Sequence, residues 1–210
     1  MSDSEQTLDQ TAGEDLVWTD AEAQVEAPAL DLLERAADAA LTLAADRPWG
    51  EISLRDISRA ASVSFSELYA KHPGKAALME RYSRRLDGIA LISADEDDSA
   101  DIADRLFEAV MARLEVMQPN RSALIAIAQA EGVAALAPRL PRTARAMLEA
   151  AGIDTDGPRG ALRIAAMTGV WARVLQVWRD DEGALNRTMA EIDKRLKQMN
   201  TRLGRVGAGY

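Results

Sequence analysis

The sequence contains no cysteine and a single histidine, His72. Disulfide frameworks, thiol nucleophiles and cysteine-based zinc sites are excluded together, and the absence of thiols fits a reducing compartment, so a cytoplasmic protein is expected. Catalysis would have to rest on carboxylates, serines and lysines, and no motif organises these. The chain is therefore not read as an enzyme, and no cofactor or metal is expected. Aromatic residues make up only 4%, and no strand-length run alternates apolar and polar residues with β-branched types. No window reaches the roughly 18 to 20 uninterrupted apolar residues that span a bilayer, and no basic region followed by an apolar run opens the sequence. What is present is 210 residues, 48% hydrophobic and dominated by alanine and leucine, enough for a sizeable core and suited to helices. The fold class read from this composition is all-α.

The net charge of −9 argues against a nucleic-acid partner until its distribution is seen. Residues 1–28 hold eight acids and no lysine or arginine, residues 29–85 hold nine basic residues against eight acids, and residues 86–210 hold sixteen against eighteen. Nearly all the acidity is in the first segment. Such a segment buries too little apolar surface to offset its ordering entropy, so residues 1–28 read as a disordered acidic tail.

After Pro28 the pattern becomes helical, with Leu30, Leu33, Ala37, Ala40, Leu41 and Ala44 on one face and Pro48 as a stop. Ser53 is placed to cap a two-turn helix over LRDISRAA, a break follows at Ser62, and Ser64 is placed to cap the next short helix before Pro73-Gly74. Where Ser62 takes a positive φ, the cost is about 1 kcal/mol. A longer helix opens at GKAALMERY. Residues 95–101 start like a calcium loop, but the sixth position is Ala100 and the twelfth is Leu106, so the glycine and the bidentate glutamate are both missing and a solvated acidic loop is read there. Further helices are expected over residues 101–118, from a cap at Asn120, over 142–151, and from Pro158 through 159–179. That last stretch is apolar around most of its circumference and must be buried on more than one side. Finally Leu185, Met189, Ile192, Leu196, Met199 and Leu203 follow four-three spacing, a seam suited to another helix, in this chain or in a partner.

Two short capped helices joined by a tight break have the layout of a helix-turn-helix. With the residues AALTLAADRPW, SLRDISRAASVS and ELYAKHPGKAALM, the stretch 36–82 resembles the N-terminal DNA-binding domain of the TetR family of transcriptional regulators. Ser53, Arg55, Asp56, Ile57, Val63, Ser64, Leu68, Tyr69, Pro73, Lys75 and Leu78 carry the match. The resemblance implies a helix-turn-helix domain over residues 29–85 and a larger helical regulatory and dimerisation domain over residues 86–210. It implies double-stranded DNA as partner, a homodimer, control by a small apolar effector, and a repressor's role. Ser53, Ser64, Tyr69 and Lys75 are then expected on phosphates, and Phe65, Ser66, Ala70 and Lys71 toward the major groove, with Arg55 among the DNA-binding residues. The exposed positions of the second short helix itself offer no arginine, asparagine or glutamine for bidentate base contacts. Met111, Met117, Met167, Trp171 and Trp178 are expected near the effector pocket, and Leu185, Met189, Ile192, Leu196 and Met199 at the dimer interface. A second reading stays open. The C-terminal part also resembles the ubiquinone-biosynthesis accessory proteins, which share this fold, have lost DNA binding and bind lipids.

Overall fold

A computed structural model describes residues 31–93, 101–181 and 184–210. The acidic stretch 1–28 and residues 95–100 of the acidic loop lie outside the described residues.

Helix α1 (Leu32–Asp46) starts where the Asp31 carboxylate accepts from the Glu34 N–H at 2.8 Å, and it buries Ala36, Ala37, Ala40, Leu41 and Ala44. A 3-10 turn (Trp49–Glu51) leads to α2 (Leu54–Ala60), which opens on a reciprocal cap: the Ser53 hydroxyl accepts from the Asp56 N–H, and the Asp56 carboxylate accepts from the Ser53 N–H. Ser62 then takes φ 53°, a left-handed conformation for a residue with a Cβ, and this turn sets α3 (Phe65–Lys71) against α2. Helix α4 (Lys75–Ser93) packs on α1, α5 and α8, so it runs through the boundary expected at residue 85 and joins both halves of the chain. Arg81 with Asp31 and Glu34, and Arg85 with Asp38, pair α4 to α1 across the surface.

Helix α5 (Ile102–Met117) passes through a 3-10 turn (Gln118–Asn120) into α6 (Arg121–Glu131), and Asn120 makes no side-chain cap, contrary to expectation, because its backbone is already part of that turn. A short α7 (Val133–Leu136) follows, and α8 (Arg139–Ala150) begins three residues earlier than residue 142. Pro141 lies in the first turn, where the missing N–H has no helical acceptor to lose, so the helix starts ahead of it. Gly152 ends this helix at φ 75°. Helix α9 (Gly157–Arg179) packs on α8 and α10, which accounts for its wide apolar surface. Helix α10 (Asn186–Gly204) follows Leu185 at φ 56°, and its first turn is capped from the preceding loop, where buried Asp181 accepts from the Thr188 N–H at 2.8 Å and the Thr188 hydroxyl at 2.6 Å. All the described residues in these elements are helix, turn or loop, and their buried side chains form one continuous core.

Candidate nucleic-acid interface

The face of α3 turned to solvent is formed by Phe65, Ser66, Tyr69 and Ala70, with Lys71 at its end, while Leu68 on the opposite side is fully buried against the core. Ser64 caps this helix through the Glu67 N–H and lies 2.9 Å from the Ser66 hydroxyl, so the pair shares one hydrogen bond and keeps one O–H to offer outward. Tyr69 is 55% exposed, and its phenol is an ordinary phosphate donor. His72 is half-buried at the C-terminus of α3.

The cations of this part of the chain fall into two groups. In the described part of residues 29–85, Arg35 on α1 and Arg47, Arg55, Arg59 and Lys71 in or beside α2 and α3 have no ion-pair partner within 4.0 Å, whereas Arg81, Arg84 and Arg85 of α4 are all paired to carboxylates. The stretch 46–71 also holds four acids, Asp46, Glu51, Asp56 and Glu67, so it carries no net charge, and its cations and acids are left to solvent side by side. Arg55 is the residue that reading α3 alone had understated. It extends from α2 until its guanidinium carbon lies 5.0 Å from the Phe65 ring centroid, and so adds an arginine to the face of α3.

Two expected phosphate contacts are otherwise employed. The Ser53 hydroxyl donates to Asp56 at 2.6 Å while accepting from its N–H, which leaves no O–H for a phosphate and, with the Ser53 N–H, holds the Asp56 carboxyl below its usual range. Lys75 is held within the chain. Its ammonium donates to the carbonyls of Trp49 at 2.5 Å and Ile52 at 2.7 Å and sits 4.4 Å from the Trp49 ring centroid, and this partial burial pushes its pKa down. The lysine ties the loop before α2 to the start of α4. Lys75→Ala should therefore cost about 2 kcal/mol of stability by leaving two carbonyls unpaired, with no change in the salt slope of DNA binding; a slope lowered by about one unit would restore Lys75 to the phosphates.

Behind this domain a cavity of about 90 Å³ lies among α4, α5, α6, α7, α8 and α9. Met117 and Trp171 line it as expected, together with Met79, Tyr82, Leu86 and Leu124. Met167 is buried elsewhere in the core, Met111 is half-buried off the cavity, and Trp178 donates its indole N–H to Gln118 at 2.8 Å, so these three do not form its wall. One end is polar: Asp87 on α4 pairs with Arg113 of α5 and with Arg142 of α8 at 2.9 Å, and accepts from Thr143 at 2.9 Å. Arg113 is 4% exposed, and burial lowers its pKa to about 10, which still leaves it charged at neutral pH. The same cavity reaches the turn before α2 and the first turn of α4, because Glu131 accepts from the Trp49 indole N–H at 3.3 Å and Arg139 donates to the Ala76 carbonyl at 3.3 Å. A wider open groove of about 850 Å³ runs between α5 and α10, lined partly by Asp104, Asp193 and Lys197.

The C-terminal seam is placed differently from expectation. Ile192, Leu196 and Met199 are buried by the chain's own helices, since α10 packs on α9 and α5; Leu185 is half-buried, and only Met189 is exposed. The surface left open is on α9, where Leu162, Ala165 and Gly169 face solvent beside a groove shared with Arg195, Gln198 and Arg202 of α10.

No model of a protein family matches the sequence, and no curated protein does. Solved structures do. A TetR transcriptional regulator from Nitrosomonas europaea superposes with a TM-score of 0.64 at 21% identity, over 80% of this chain and 97% of that one. A TetR transcriptional regulator from a Rhodococcus species gives 0.61 at 17% identity, over 79% and 93%, and a TetR-family transcriptional regulator from Streptomyces coelicolor gives 0.53 at 20% identity, over 84% and 81%. The chain has the all-helical fold of TetR-type regulators. No described helix is long and apolar enough to cross a membrane.

Proposed function

We propose that the protein is a DNA-binding transcriptional regulator that docks α3 into the major groove as a homodimer and responds to a small apolar molecule. The observation that carries the reading is the outer face of α3, where Phe65 and Tyr69 are exposed and Arg55, which has no ion-pair partner among the described residues, reaches the Phe65 ring from α2. Exposed aromatics backed by an arginine suit phosphates and base edges better than they suit water. The fold shared with the TetR regulators supports the same conclusion. Tyr69→Phe tests the docking: affinity for all duplexes should fall by about 1 kcal/mol through loss of one phosphate hydrogen bond. Unchanged affinity would remove α3 from the interface.

The effector reading rests on the cavity between the helices. At about 90 Å³ it is smaller than the roughly 150 Å³ that admits benzene, so a ligand of about four non-hydrogen atoms is the size it takes as it stands. A lipid chain needs several times that volume, which disfavours the accessory-protein reading. Dimerisation is supported by the open stripe of α9, where small side chains let a second helix approach closely. A Cβ at Gly169 meets nothing within 4 Å, so Gly169→Glu should leave the single chain folded yet yield a monomer by sedimentation, and with it lose most of the affinity for a two-half-site duplex. A dimer that survives this substitution lies on another face.

A further inference from the structure

Among the described residues, three buried side-chain polar atoms have no hydrogen-bond partner: Nε of Arg81, the hydroxyl of Tyr82 and Nε of Arg113. Tyr82 of α4 and Arg113 of α5 both line the cavity among the helices. The rest of the Arg113 guanidinium is employed: Nη1 donates to Asp87 and to the Ser83 carbonyl at 3.3 Å, and Nη2 donates to the Ser83 hydroxyl at 3.1 Å. Those bonds fix the Nε–H in place, yet it meets no acceptor among the described residues, a condition that native interiors rarely leave unanswered. Tyr82 supplies a second donor, because burial pushes its pKa up and keeps the phenol protonated; Asn120 approaches it without making a hydrogen bond. Tyr82 directly precedes Ser83, the residue that holds the guanidinium, so the two donors stand on neighbouring parts of the wall. Next to them the wall is apolar, with the Trp171 ring centroid 5.7 Å from the Arg113 guanidinium carbon and with Met117 and Leu124 beside it.

We infer that the cavity takes a small neutral carbonyl compound, a ketone, aldehyde or ester, whose oxygen accepts from the Arg113 Nε–H and the Tyr82 O–H while its alkyl groups lie against Met117, Leu124 and Trp171. The inference rests on the effector reading above and adds to it the one polar group that the effector carries. Charge decides against a carboxylate. Arg113, Arg139 and Arg142 are already matched by Glu80, Asp87 and Glu131, so an anion would enter a buried place that holds no free counter-charge. The donor inventory decides against alcohols and amides. The Asp87 carboxylate already serves Arg113, Arg142 and Thr143, and a further O–H or N–H would face donors rather than acceptors. A carbonyl oxygen has two lone pairs and no hydrogen, which matches the two donors on the wall. A hydrocarbon of the same size fills the space and strands both.

Acetone, isobutene and acetate provide the test, because they share one planar, forked shape of the size the cavity admits and differ in acceptor and charge. The full chain, without DNA, is titrated with each while the methyl resonances of Met79 and Met117, both on the cavity wall, report where the ligand sits. Acetone should move both resonances and saturate in the millimolar range, as ligands of so few atoms do. Tyr82→Phe keeps the ring and removes the O–H, so it should weaken acetone about tenfold and change isobutene by less than about twofold. The same variant should not lower thermal stability, since the lost hydroxyl has no partner in the fold. Acetate should leave the resonances where they are. A variant that affects acetone and isobutene equally, or acetone not at all, would mean that trapped water satisfies the two donors, and overturns the inference. Acetate binding more tightly than acetone overturns it in favour of an anion. Isobutene binding without acetone overturns it and leaves the apolar effector standing, whereas no shift with any of the three overturns the effector reading as well. DNA takes no part in the titration, so the DNA-binding reading is tested separately.

Discussion

Asp87→Ala should lower the free energy of unfolding by about 3–5 kcal/mol, the cost of stranding a buried charge. Asp87 and Arg113 are 7% and 4% exposed, and the one carboxylate serves Arg113, Arg142 and Thr143. Its removal leaves buried Arg113 and the Thr143 hydroxyl without their carboxylate, while Arg142, partly exposed, keeps Glu80. The Ser83 hydroxyl, 3.1 Å from Arg113 and 3.0 Å from Arg142, offers only a neutral oxygen in return. Urea unfolding should show the midpoint falling with little change in slope. Arg113→Met introduced alongside should recover part of the loss, since an apolar replacement of both partners is far less costly than a lone charge. The cluster joins α4, α5 and α8, so the same variant should loosen α4, which also packs on α1. A loss below about 1 kcal/mol would place the cluster in solvent.

Gly160→Ala is the second large effect, about 3 kcal/mol or more, and it arises from backbone rather than charge. A Cβ at Gly160 would overlap the carbonyl carbon and oxygen of Thr155, atoms that no rotamer change can move away. Thr155 is itself 2% exposed and bonded to Glu149, and Arg163 one turn on binds the carbonyls of Asp154, Ala208 and Gly209 at 2.8 to 3.1 Å. The loop, the first turn of α9 and the C-terminal tail would have to move together. Gly88 provides the contrast: it lies inside α4 with nothing within 4 Å of its missing Cβ, and Gly88→Ala should raise stability by about 0.5–1 kcal/mol. Opposite signs in thermal unfolding would separate close approach from helix propensity. Equal effects would mean that the first turn of α9 does not pack closely on Thr155.

The helix-turn-helix was legible because its signals are local. Ser53 and Ser64 announce two helix starts, Pro48 and Pro73 two stops, and each acts within a few residues of itself. The surroundings of Lys75 were not legible for the opposite reason: its position fits a phosphate contact, but the carbonyls that hold its ammonium lie 26 and 23 residues away. Arg55 and Phe65 meet only after Ser62 has turned α3 back on α2, so a reading confined to α3 finds no arginine. For the seam of α10, spacing identified which side chains turn inward, yet it carries no information on whether α9 or a second chain covers them. The Asp87 cluster was not anticipated, because its members come from three helices and Arg142 lies 55 residues from Asp87.

Selection of duplexes from a random pool, at a salt concentration of about 0.1 M where non-specific attraction is screened, tests the central claim most directly. The account predicts enrichment of one sequence with two-fold symmetry, its half-sites separated as two copies of α3 require, and retention of that preference as salt is raised. A pool that emerges unenriched, with binding that fades equally for every duplex, would contradict it.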